Sequence, residues 1–118
     1  TIGAGQYIVV AKNPTAFASR FLAVPSEKIF GPYEGQLGND GEKVELSLPG
    51  DEKNGTRYYI RVDRVNYSDG SHGDDFDGPD PWPSGADGTG NSLKRIFAHY
   101  YGNDPNNWQA GPPTPGVP

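Results

Sequence analysis

The chain has 118 residues, with 10 basic and 15 acidic side chains for a net charge of −5, and with 17 Gly, 12 Pro and no Cys. That length supports one modest core. An acidic chain with dispersed Lys and Arg lacks the counterion-releasing surface of a nucleic-acid binder, and no apolar run approaches the ~20 residues of a membrane span. The absence of Cys removes disulfides and thiolate metal sites while leaving the compartment open. Aromatics at 12% supply apolar surface that disordered chains lack. Gly and Pro between β-branched runs then predict one all-β domain over residues 1–118. A chain without Met reads as a mature or excised piece.

In chain order, Gly5 to Ala11 (GQYIVVA) predicts a strand buried on both faces. Asn13-Pro14 supplies a helix N-cap followed by Pro at the first helical position. Phe17 and Phe21, four apart, predict a short helix from Pro14 to Phe21 with one aromatic stripe. The segment from Pro25 to Gly41 carries turn residues and little periodicity. Lys43 to Leu48 alternates, with Val44, Leu46 and Leu48 on one face. Pro49 to Thr56 predicts a polar hairpin loop ending in Asn54-Gly55.

Arg57 to Tyr67 is the longest strand signal. Tyr58, Ile60 and Val62 share one parity, Val65 and Tyr67 the other, so a bulge or kink is expected at Asp63-Arg64. Arg57, Arg61, Arg64 and Tyr59 read as a polar solvent face with cross-strand ion pairs. Ser68 to Gly90 predicts a long loop, of the kind that is either functional or pinned by its own side chains. Ser92 to Ala98 predicts the last strand. From Asp104 onward the tail is expected to be extended, with Trp108 as its anchor.

The long loop carries the chemistry-bearing residues. Asp69, Asp74, Asp75, Asp77 and Asp80 lie close together without Lys or Arg, and carboxylates at such spacing suit Ca²⁺, which takes six to eight oxygens. The terminal Glu of an EF-hand is missing, and Asx-turns in a solvated loop account for the same residues. Trp82 is either a sugar-stacking platform or a core plug, as is Trp108. His72 stands close to Asp74, and His99 beside Tyr100-Tyr101 suggests a partly buried aromatic cluster. Asp87-Gly88-Thr89-Gly90 precedes a strand, so it lacks the helix N-terminus that a phosphate loop needs. No Ser, His and Asp can be assigned to one another from spacing.

Pro81-Trp82-Pro83, Asp87-Gly88, Gly90, Ser92-Leu93, Arg95, Asn107-Trp108 and Pro113-Thr114-Pro115-Gly116 form an ordered set. Gly31-Pro32, Gly35, Leu37, Asn39, Gly41, Glu42, Val44 and Leu46 precede it. Together they resemble the lamin-tail domain, an immunoglobulin-like module found in nuclear lamins and in exported bacterial proteins, across roughly residues 5–118. The family opens with an Ile-Asn-Glu strand before the equivalent of GQYIVVA, and that strand is absent here. The resemblance implies an all-β, immunoglobulin-like sandwich of lamin-tail type lacking its first strands, with one short helix near the N-terminus. It further implies a non-catalytic accessory module, extracellular or at a cell surface, attaching to a protein or a cell-surface polymer. A sandwich lacking strands exposes an unpaired edge, so a second copy or an N-terminal fragment is an expected partner. The alternative is a calcium-assisted carbohydrate-binding module using the Asp-rich loop and Trp82.

Overall fold

The computed structural model describes residues 2–73 and 78–117. The chain is β-rich with one α-helix, and its strands pair in three two-stranded sheets among the described residues, with no closed sandwich. Two compact units are present, one formed by residues 1–36 and 113–118, the other by residues 37–112.

In the first unit, strand β1 (Val9–Val10) runs parallel to β2 (Ile29–Phe30). The predicted strand from Gly5 is therefore reduced to two residues, and it is not buried on both faces, since Val10 is exposed. Ala11, which donates its N–H to Phe30 O, is the buried residue at this junction. Helix α1 (Pro14–Arg20) starts where expected: Asn13 Oδ1 accepts the Ala16 N–H at 2.9 Å, and Pro14 occupies the first turn. It stops at Phe21, whose N–H still bonds Phe17 O and whose ring lies 4.7 Å from that of Phe17.

The second unit is built on a long antiparallel ribbon of β3 (Gly41–Lys53) and β4 (Thr56–Ser68). The polar loop expected over residues 49–56 shrinks to the two-residue turn Asn54-Gly55, with φ of 53° and 76°. Positive φ at both central positions matches the right-handed twist of the flanking strands. Pro49 stays in the ladder, opposite Tyr59, because a proline is tolerated on a strand with an open outer edge. The parity change in β4 has its physical cause in the register: Leu46 faces Asp63 but Ser47 faces Arg61, leaving Val62 as the extra residue of a bulge. A second irregularity, at Gly50-Asp51, is braced by Arg57, which donates to Gly50 O at 2.8 Å and to Glu52 at 2.9 Å.

Beyond the loop, β5 (Ser92–Arg95) pairs antiparallel with β6 (Trp108–Gly111). The tail is thus a paired strand and not simply extended. Asp104 caps the 3₁₀ turn Pro105–Asn107 that aims the chain back along β5. Strand β5 ends at Arg95 because buried Asn107 captures both backbone groups of Phe97: its Oδ1 accepts the Phe97 N–H and its Nδ2 donates to Phe97 O, each at 2.9 Å. Trp108 Nε1 donates to Gly102 O at 2.8 Å, and the Trp108 ring packs 6.1 Å from Trp82. Phe97, His99 and Tyr100 do cluster, with ring separations of 4.6–5.9 Å, but the group is exposed and not partly buried as expected.

Candidate functional site

Two features of the second unit stand out, a polar clasp at the root of the long loop and an apolar face on the ribbon. The clasp forms where β4 ends. Gly70 takes φ of 80°, and a Cβ there would lie 2.7 Å from Trp82 O and 2.8 Å from Ser84 Cα, so only glycine lets the chain pass this close to 82–84. That approach brings Ser68, His72 and Asp80 together.

Asp80 is the hub, with a side chain only 3% exposed. Its Oδ1 accepts the Trp82 N–H at 2.9 Å. Its Oδ2 accepts the Ser68 hydroxyl, the His72 N–H at 3.3 Å and His72 Nδ1 at 3.0 Å. Burial opposes the charged carboxylate, but the Ser68, Trp82 and His72 donors outweigh it and hold Asp80 at about 2, against an ordinary 3.8. Asp69, next to Ser68, is held below the ordinary range by hydrogen bonds from the side chain and N–H of Ser71.

A serine, a histidine and an aspartate in contact invite a nucleophilic reading, which the directions of the hydrogen bonds decide. Ser68 has one O–H, and Asp80 takes it. His72 Nδ1, 2.7 Å from Ser68 Oγ and 3.0 Å from Asp80, must then carry a proton and donate. In the tautomer that carries its proton on Nδ1, His72 donates to Ser68 and Asp80 and does not act there as a base for the hydroxyl. Ser68 is itself buried. The chemistry of this trio is that of a clasp joining the end of β4 to the loop ahead of Trp82.

Of the carboxylates read as calcium ligands, Asp69 and Asp80 are brought together, while Asp74, Asp75 and Asp77 lie outside the described residues. Donor atoms of Asp69, His72 and Asp80 fall within 4.8 Å of one another. Two carboxylates suit a hard cation, but an imidazole nitrogen is foreign to the oxygen shell of Ca²⁺. Trp82 is largely buried, its ring 6.1 Å from that of Trp108, and it lines a pocket with His72, Asp80 and Pro81. Sequence reasoning misses Ser68, because nothing in its surroundings marks it apart from a strand end.

The ribbon divides by face. Lys43, Glu45 and Arg61 lie on the polar side, where Glu45 meets Lys43 at 3.7 Å and Arg61 at 3.8 Å. Arg64 lies opposite Glu45, so the expected polar face is present. On the other face Val44 pairs with Val65 and Leu48 with Ile60. Near its open end this face meets Arg95, Gly102 and Trp108 around a small cavity of about 130 Å³, and Arg95 pairs with Asp63. Toward the turn it is uncovered: Leu48, Tyr58, Ile60 and Val62, with Leu46 at the rim of that cavity, are each between 54% and 63% exposed.

No family model, no curated protein and no solved structure matches this chain.

Proposed function

We propose that this chain is a non-catalytic attachment module that binds a protein through the apolar, turn-proximal face of the β3–β4 ribbon. The observation that carries the proposal is the contiguous exposure of Leu46, Leu48, Tyr58, Ile60 and Val62 on one side of a ribbon whose other side carries Lys43, Glu45, Arg61 and Arg64 beside Tyr59. Soluble monomers seldom present an apolar patch of several hundred Å² unless it meets a partner. The open edges of a two-stranded ribbon add backbone donors and acceptors for strand addition. The ordered Gly, Pro and Trp motifs favour a lamin-tail type of immunoglobulin-like sandwich.

A photo-cross-linking residue substituted at Ile60, with one at Ser47 on the polar face as control, tests the reading in the parent organism. Adducts to protein from position 60 and not from position 47 are expected. Equal labelling from both positions would reject the ribbon face. The second reading, calcium-assisted carbohydrate binding, draws on the convergence of Asp69, His72 and Asp80. It requires a chelator-reversible rise in melting temperature with millimolar calcium, which the attachment reading does not.

A further inference from the structure

We infer that the partner of the ribbon's apolar face is a second copy of this chain, packed face to face about a two-fold axis; this rests on the attachment reading above and names its occupant. Two observations carry the choice. The first is area. Five residues 54–63% exposed, four of them aliphatic and smaller than an aromatic of roughly 200 Å², leave on the order of 500 Å² per copy. A symmetric pair that covers the whole face buries about 1,000 Å², the size at which a specific interface begins.

The second is charge. The whole chain carries −5, yet residues 41–68 hold five basic and five acidic side chains and are neutral, so the remainder carries the entire excess. Two copies repel one another wherever acidic surfaces meet, and the ribbon is where they approach without that opposition. A neutral apolar face offers no electrostatic attraction to a strongly charged partner, whereas it is self-complementary under a two-fold axis. Two amphipathic ribbons stacked about 10 Å apart make the inner faces of a small intermolecular sandwich, with both polar faces left in water.

Sedimentation velocity from about 10 μM to about 500 μM tests this on the full chain. The wild type is expected to shift from monomer to dimer across that range. Ile60→Asp places a carboxylate of each copy in the shared apolar core and is expected to weaken the dimer at least about tenfold. Ser47→Asp on the polar face should leave it unchanged. Tyr58→Ala gives an independent readout that adds no charge: truncating one ring of each copy should weaken the dimer as well. A wild type that stays monomeric, or a dimer indifferent to Ile60→Asp or to Tyr58→Ala, overturns the face-to-face dimer. Should the wild type be monomeric, an apolar dye separates the two failures. Dye bound by the wild type and lost in Ile60→Asp leaves the face open to a different protein. Dye binding that is equal in both removes the attachment reading as well.

Discussion

Replacing Asp80 with Asn tests whether the loop clasp holds the second unit together. Asp80 is ionised in the native state with a carboxyl held at about 2, against an ordinary 3.8. A folded value below the unfolded one means that the stabilisation is fully present above the ordinary value and fades as pH falls toward the folded one. At about 1.4 kcal/mol per pH unit, the gap is worth about 2 kcal/mol at neutral pH. An amide in place of the carboxylate keeps the shape but turns an N–H₂ toward donors from Ser68, His72 or Trp82, so Asp80→Asn should lose about 2 kcal/mol at pH 7. Urea titrations followed by tryptophan fluorescence measure it, since Trp82 donates its own N–H to Asp80 and packs on Trp108. The difference between wild type and variant should hold from pH 7 to about pH 5 and then shrink as pH falls through 3.8 toward 2. A loss below about 0.5 kcal/mol at pH 7, or a difference that ignores pH over that range, would refute the clasp.

Other substitutions probe the remaining devices. Asn107→Ala strips both backbone groups of Phe97 of their partner and should cost about 2 kcal/mol in the same titration; a neutral effect would show that water replaces the side chain. Gly55→Val forces a β-branched residue to φ of 76° and should destabilise the ribbon by about 1–2 kcal/mol, seen as faster amide exchange over residues 41–68. Asn13→Ala removes the acceptor for the Ala16 N–H and should cost helix α1 about 1 kcal/mol, measured by exchange protection at Phe17 and Phe21.

Several parts of this architecture are legible in the sequence alone. Asn13-Pro14 announces a helix start, Asn54-Gly55 a tight turn, and the parity change near Asp63 a bulge. Each depends on sterics within a few residues, so each is written locally. The hairpin loop reads too long in the sequence because Pro49 and Gly50 look like breakers; their place on an open edge, where a missing N–H and a bulge cost little, is not a property of the segment itself. The β1–β2 pairing is hidden for a related reason, since two-residue strands carry no periodicity.

The site divides the same way. Asp69 and Asp80 are candidates from composition, and the clustering of Asp with no Lys or Arg nearby is signal enough. Ser68 and the direction of its proton are invisible there, because a hydroxyl at a strand end acquires meaning only when the chain returns twelve residues later. Alternation marks Val44, Leu46 and Leu48 as one apolar face, and backbone geometry alone guarantees that they share it. Whether that face is covered is not a local matter. Burial is a relation between distant segments, and the fold brings Trp108 and Arg95 only to the open end of the ribbon, leaving the face beside the turn exposed to solvent.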